Sequence, residues 1–484
     1  MKRFALFTAL ALTAFGTSGC SVNPATGQQS FTGLMSAEKE IQVGKEEHPK
    51  ILQQYGGAFD HKTLENYVDT LGQRLAKVSE LPDIKWTFTV LDDPIINAFA
   101  LPGGFVYISR GLIGLAENEA ELAAVLGHEI GHVTGRHTAQ RYSKSVLTGV
   151  GATILGIVVG GPAGDIANFA GQAYLAGYGR GHEMEADMLG MRYMTKLGYD
   201  PKASAAFFEK LAAHSELSSR MKGEEGKQGH YSIFASHPDT QSRIIESQKI
   251  AKTYPADLTM LRRSPYLRQI DDLVYGENPK QGVIDGQTFL HPGLRMKFTV
   301  PEGFTFTNKP SYVAATHKNG SAIVFQMGKS DLGRFPMTRY LTEIWANKYK
   351  LRDVQPLEIN RKEAATGMVR LKTSKGVRDI RYLAIEDEGK IFQFRFLTPT
   401  NLTRQMEIPM RQTTYSFHRL SYFEAKKIKG DHIVLHKVRR GETTASLAKS
   451  MSIKKLREDW FKVINKEQLA DGLQSGETVK LVVK

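Results

Sequence analysis

The sequence predicts an α+β protein, with a mostly helical first domain, a β-rich second domain and a small C-terminal module. Two changes of pattern predict it. Up to about residue 265, apolar residues recur mainly at spacings of three and four, the period of a helix. From residue 287 to 425 the pattern turns into short β-rich runs separated by glycine-containing turns, and the last 54 residues, 431–484, have a third character.

Residues 1–19 read as a targeting segment. Lys2 and Arg3 are basic, Phe4 to Phe15 is apolar, and Thr17-Ser18-Gly19 is small. The stretch is too short for a membrane-spanning helix. Cys20, the single cysteine, follows at once. This arrangement resembles a bacterial lipoprotein signal. The resemblance implies lipid on Cys20 and, because Ser21 rather than Asp follows, the periplasmic side of the outer membrane of a Gram-negative bacterium. An ordinary secretory peptide is the alternative. Residues 20–35, with Asn23-Pro24-Ala25-Thr26-Gly27, read as a polar, turn-rich tether.

The first domain is placed at 36–265. Ser36 caps a helical pattern through Ile51, and a second helix runs from Lys62 to Val78 with Leu64, Val68, Leu71 and Leu75 on one face. Trp86 to Leu91 alternates like a strand. After the Pro102-Gly103-Gly104 turn, Phe105 to Ser109 is a second β-rich run. It offers either a free edge for an extended substrate or an internal hairpin strand.

The chemistry is concentrated at His128-Glu129-Ile130-Gly131-His132. Asn118 with Glu121 is a capping box for a helix through Val133. On that helix the two histidines lie one turn apart on one face and can share one Zn²⁺, while Glu129 reaches a water at the open coordination position. Such a pattern also arises by chance, so a third ligand is required. Glu183-Met184-Glu185-Ala186-Asp187 supplies one on a second helical pattern, where Glu183 and Asp187 share a face. Glu183 can ligate, and Asp187 can accept a hydrogen bond from the far nitrogen of a ligand histidine. The alternative is a solvated acidic face. His137, off the ligand face of a continuous helix, reads as an ordinary surface histidine, and His182 is not counted as a ligand.

These motifs resemble the zinc endopeptidase family that includes the CAAX prenyl endopeptidases, HtpX, Oma-type and periplasmic BepA-like proteases. Asn97-Ala98-Phe99-Ala100-Leu101-Pro102-Gly103-Gly104, Arg180 ahead of Glu183, and Ser236-His237-Pro238 with Arg243 match further family segments. Gly179 stands where the family has Ser. The resemblance covers roughly Asn23 to Ser264. It implies a zincin-type metallopeptidase domain with a small edge-exposed sheet. It also implies one zinc per chain on His128, His132 and Glu183, with Glu129 as catalytic base. His237 is then a removable fourth ligand, or simply a helix-entry histidine. Arg243 polarises the scissile carbonyl, or pairs with a carboxylate. Val146 to Val159, apolar and glycine-rich, reads as a lid or as a buried core helix.

Residues 266–286 read as a linker. The β-rich accessory domain, 287–425, contains runs at Met296–Val300, Ala322–Gln326, Met368–Leu371, Ile380–Ile385 and Ile391–Phe396, and one helix near Met337–Tyr349. Residues 431–484 resemble a divergent LysM module of βααβ type. Its segments are Val438-Arg439-Arg440-Gly441-Glu442-Thr443, Leu447-Ala448, Ile464-Asn465 and Leu473 to Leu481. The resemblance implies peptidoglycan binding, and a structural cap is the alternative.

A net charge of +14 points to anionic neighbours such as lipid head groups, and no basic-aromatic module for nucleic acid is present. One cysteine excludes an internal disulfide framework. The sequence therefore predicts an envelope zinc endopeptidase acting on extended polypeptides, in quality control of misfolded or stalled envelope proteins. A non-enzymatic chaperone or peptidoglycan-binding adaptor with structural zinc is the competing reading.

Overall fold

The computed structural model describes residues 20–32, 35–147, 177–222, 237, 240–329, 335–466 and 472–484. The targeting segment, all but the first two residues of Val146 to Val159, and Gly223 to Gly229 lie outside them. The chain forms two compact units. One comprises residues 57–275 and 431–484 with the N-terminal residues up to 52, and the other comprises 276–430 with 53–56.

The first unit begins with a hairpin of β1 (Cys20–Val22) and β2 (Gln29–Phe31). The helices α1 (Ala37–Gln54) and α2 (Lys62–Lys77) follow. The apolar stripe of α2 buries Leu64, Val68, Leu71 and Leu75. Three strands come next, β3 (Thr87–Leu91), β4 (Ala98–Leu101) and β5 (Phe105–Ser109). Their order is β3-β5-β4, with β3 parallel and β4 antiparallel to β5. Phe105–Ser109 is thus the central strand, which removes the free edge expected there and leaves the internal-strand reading. Gly103 and Gly104 make its entry turn at φ +82° and +91°, a region that L side chains avoid.

Beyond the sheet lie α3 (Arg110–Leu115), α4 (Glu119–Thr134), α5 (His137–Leu147), α6 (Arg180–Lys196), α7 (Lys202–Lys222), α8 (Thr240–Ala251) and α9 (Arg263–Ile270). Strand β6 (Val274–Tyr275) closes this part. Helix α4 is buried on nearly every side, as its run of Ala, Leu and Val requires. Its N-terminal cap forms as the sequence predicts. Asn118 Oδ1 accepts from Glu121 N at 2.9 Å, and the Glu121 carboxylate turns to Glu117 N, 2.8 Å away. It is also bound by Lys210 Nζ of α7 at 2.7 and 2.9 Å, and Lys210 pairs with Glu117 at 2.6 Å. This buried ion cluster ties α7 to the entry of α4.

Tyr266, Leu267 and Ile270 of α9 lie in the core of this unit. Residues up to 275 therefore belong to it, where the sequence reading placed a linker at 266–286. The amphipathic spacing in Tyr266-Leu267-x-x-Ile270 carried that signal.

In the second unit, β7 to β16 run Val283–Asp285, Thr288–His291, Met296–Thr299, Phe304–Lys309, Tyr312–His317, Ala322–Met327, Arg352–Ile359, Lys362–Thr373, Gly376–Asp387 and Lys390–Pro399. A helix, α10 (Thr403–Ser416), and β17 (His418–Arg419) follow. The main sheet is antiparallel in the order β10-β11-β12-β16-β15-β14-β13, and a smaller one has the order β17-β9-β8-β7. Phe325, Phe392, Phe394 and Phe396 of the main sheet share a core with Phe298 of the smaller sheet and with Met406 and Met410 of α10. Met337–Tyr349, expected as one helix, is instead an α-turn at Met337–Arg339 followed by a π-helical turn at Tyr340–Trp345.

The chain then returns to the first unit with β18 (Asp431–Lys437), α11 (Thr444–Ser450), α12 (Arg457–Ile464) and β19 (Thr478–Val483). Strand β18 lies between β19 and β6. Ile433, Leu447, Phe461 and Val482 share one hydrophobic core with Leu122 and Leu126 of α4. Lys480 is buried, and its ammonium donates to the carbonyls of Gly114, Leu115 and Ala116 at 2.9, 3.0 and 2.9 Å. Those carbonyls end α3, where a helix leaves acceptors unsatisfied.

Candidate metal centre

Helices α4 and α6 approach closely because glycines face each other. A Cβ on Gly190 would stand 2.6 Å from His128 N, and one on Gly127 would stand 2.9 Å from Gly190 O. Gly131 meets Ala186 in the same way, with a built Cβ 3.0 Å from Ala186 O. This seam brings the two histidines of α4 against the two carboxylates of α6. Gly190→Ala is expected to wedge the helices apart, cost about 1–3 kcal/mol of overpacking, and weaken metal binding. Thermal unfolding and metal titration of that variant check it.

The imidazole nitrogens His128 Nε2 and His132 Nε2 stand 3.0 Å apart. Glu183 places Oε2 3.6 Å from His128 Nε2 and Oε1 3.5 Å from His132 Nε2. His237 Nδ1 lies 3.3 Å from His128 Nε2 and 3.0 Å from Glu183 Oε1. Four ligands at tetrahedral corners with bonds of about 2.0–2.1 Å stand about 3.3–3.4 Å apart, so the four residues are spaced to hold one small cation. All four are buried, and one ligand atom from each lies within 4.8 Å of the others.

The hydrogen bonds outside the cluster decide its polarity. His128 Nδ1 is 2.7 Å from Asp187 Oδ1, so it carries the proton and donates. The Nε2 atom of His128 then presents a lone pair to the centre. His132 Nδ1 is 2.8 Å from His137 Nδ1, and if it donates, its Nε2 also faces inward bare. Two bare nitrogens and a carboxylate converging in a dry pocket repel one another unless a cation sits between them. The residues present therefore fit a metal.

The surrounding charges support this arrangement. Burial alone would raise the Glu183 carboxyl, but His237 and His132 hold it well below the usual range. Burial, with His128 next, pushes the His132 imidazole well down, so it stays neutral and able to ligate. Arg243 reaches Asp187 through Nε and Nη2, both at 2.7 Å, and Glu183 through Nη1 at 2.8 Å. Of the two readings of Arg243, the structure shows the pairing with carboxylates. Its guanidinium also lies over the Phe208 ring.

Glu129 is 1% exposed; among the described residues neither carboxylate oxygen has a hydrogen-bond partner, and Oε1 lies 3.6 Å from His237 Nε2. Burial raises its pKa, against the opposing charge of His237. The adjoining cavity measures about 20 Å³, room for roughly one water. It is lined by His128, Glu129, His237, Arg243 and the apolar side chains Val125 and Phe207.

Two members of the site were not found from the sequence. His137, expected on the surface, is fully buried beneath His132. The chain breaks after α4, with Arg136 at φ +53°, and this swings His137 back under His132. Tyr178 stacks on His132 with ring centroids 3.8 Å apart and holds Thr138 through its hydroxyl, 2.9 Å away. Ser236 and Pro238, expected beside His237, lie outside the described residues.

Residues 62–251 match the family described as Peptidase family M48. The chain carries an M48 peptidase domain. This M48 domain is a metallopeptidase domain, and the matched residues contain all four members of the cluster. The mitochondrial metalloendopeptidase OMA1 of Schizosaccharomyces pombe is 30% identical over 229 residues, covering 46% of this chain and 63% of that protein. The beta-barrel assembly-enhancing protease of Escherichia coli is 31% identical over 235 residues, covering 46% of each. A Vibrio cholerae relative is 32% identical over 248 residues, 48% of this chain and 47% of its own. The chain thus spans about half the length of its bacterial relatives. No helix among the described residues is long and apolar enough to cross a membrane.

Proposed function

We propose that this chain is a zinc-dependent endopeptidase of the bacterial envelope, anchored by lipid at Cys20 and acting on extended or misfolded envelope polypeptides. The observation that carries it is a cation-shaped cluster of inward lone pairs with a buried carboxylate, Glu129, beside it that has no hydrogen-bond partner among the described residues. The names of the relatives, proteases and metalloendopeptidases, support the same reaction class.

In this reading His128, His132 and Glu183 hold zinc, which when bound supplies a Lewis acid that polarises a peptide carbonyl and acidifies water. Glu129 takes the water's proton and delivers it to the leaving amine. Burial raises its pKa, the direction that helps it hold and return the proton. Asp187 orients His128, Arg243 keeps Asp187 ionised, and His237 and His132 keep Glu183 so. His237 takes the fourth ligand position, so the described arrangement is a closed one, and a substrate carbonyl enters only once His237 has left. The buried Lys480 and shared core favour the structural-cap reading of residues 431–484 over peptidoglycan binding.

Treating the purified protein with a zinc chelator is expected to abolish casein cleavage, with recovery on adding zinc. Cleavage that survives complete metal removal overturns the proposal. Stoichiometric zinc without any cleavage would favour the structural-zinc adaptor.

A further inference from the structure

We infer that Asn23, in the segment next to Cys20, is a positioning residue of the metal centre, acting on His132 through Glu185 and His137. The inference rests on the zinc reading above. It corrects the view of residues 20–35 as a slack tether. Asn23 is 2% exposed, Ala25 7% and Thr32 2%. The segment is held further by Arg136, which bonds Thr32 Oγ1 at 3.2 Å and Met35 O at 2.7 Å.

The connection can be followed atom by atom. Asn23 Nδ2 donates to Glu185 Oε1 at 2.8 Å and faces Gly135 O at 3.4 Å. The amide orientation is independently set, because Asn23 Oδ1 accepts from Ala25 N at 2.9 Å. Glu185 Oε1 lies 3.5 Å from His137 Nε2. His137 Nδ1 lies 2.8 Å from His132 Nδ1.

With His132 ligating through Nε2, one proton arrangement fits the His132–His137 bond, and it turns an N–H of His137 toward Glu185 at 3.5 Å, an electrostatic contact longer than a formed hydrogen bond. His132 Nδ1–H donates to His137 Nδ1, and His137 Nε2–H points to the Glu185 carboxylate, which Asn23 steadies. The carboxylate makes His137 a better acceptor, which makes His132 a better ligand. His182 stacks on His137 with centroids 4.4 Å apart and limits its rotation. Glu185, the middle acid of the Glu183-Met184-Glu185 run, thereby has a use that the ligand and orienting roles of its neighbours leave unassigned. Asn23 lies three positions after Cys20, at most about 10 Å of extended chain, so an anchor at Cys20 and the centre would be joined by almost no slack.

The test uses the full-length lipidated protein and its Asn23→Ala, Glu185→Ala and Glu185→Gln variants. Zinc release to a chromogenic chelator, the unfolding temperature of the metal-free form, and kcat against KM are measured on each. Loss of an outer partner of a metal ligand typically weakens the metal about 10- to 100-fold. Zinc release should therefore quicken at least tenfold in Asn23→Ala and Glu185→Ala, with kcat falling more than KM changes. Glu185→Gln, which keeps an acceptor oxygen, should recover part of the loss. Zinc release within twofold of the parent in both alanine variants overturns the inference, as does an equal drop in unfolding temperature with and without metal and no change in release. If the parent itself binds no stoichiometric zinc, the zinc reading fails instead. If Asn23→Ala does not fold, the contrast between Glu185→Ala and Glu185→Gln decides.

Discussion

Replacing Glu129 by glutamine is expected to lower peptide hydrolysis by about 10²- to 10⁴-fold, the range for losing a general base, while zinc content stays at one per chain. The fold should not suffer. Among the described residues neither Glu129 oxygen has a hydrogen-bond partner, and burial already disfavours its charge. A neutral amide of the same shape gives up the ion pair with His237 at 3.6 Å but relieves the burial of a charge, so the unfolding temperature should change little. Parallel assays of casein cleavage, metal content and thermal unfolding check all three. A variant that cleaves at the parental rate would remove Glu129 from the mechanism.

Arg243→Leu should be the most destabilising single change at the centre. It strips the guanidinium that bridges Asp187 and Glu183, leaving two buried carboxylates without that shared counter-charge. Breaking a buried ion pair in this way costs about 3–5 kcal/mol. For a domain of this size that is on the order of 10 °C in unfolding temperature. The loss should be largest without metal, because a bound dication compensates Glu183 directly. Zinc should therefore stabilise the variant more than it stabilises the parent. Arg243→Lys keeps the charge but not the two-pronged contact, and should fall between them. An unchanged unfolding temperature in the metal-free variant would show that the pairing contributes little.

The two chemical motifs were legible because their information is local. His128 and His132 need only a helix to share a face, and so do Glu183 and Asp187. That the pairs meet depends on Gly127, Gly131 and Gly190, whose closeness to backbone atoms is a tertiary fact. No periodicity marks a glycine as a seam rather than a weak spot. His137 was misplaced for a related reason. Its distance from the ligand face assumes a continuous helix, and the left-handed Arg136 breaks it. Asn23 was unreadable because its partner Glu185 lies 162 positions away. In the second unit, Phe304–Lys309, Tyr312–His317 and Arg352–Ile359 were missed as strands. Arg352–Ile359 is almost wholly exposed, and Pro356 interrupts its pattern. The alternation that betrays a half-buried strand is absent there.

The buried Lys480 has a bearing on timing. Its ammonium meets the Gly114 carbonyl across 366 positions, with the entire second unit encoded between them. Contacts so distant in sequence close late. Refolding of the first unit should therefore be limited by the arrival of β18 and β19, which complete the core beneath helix α4.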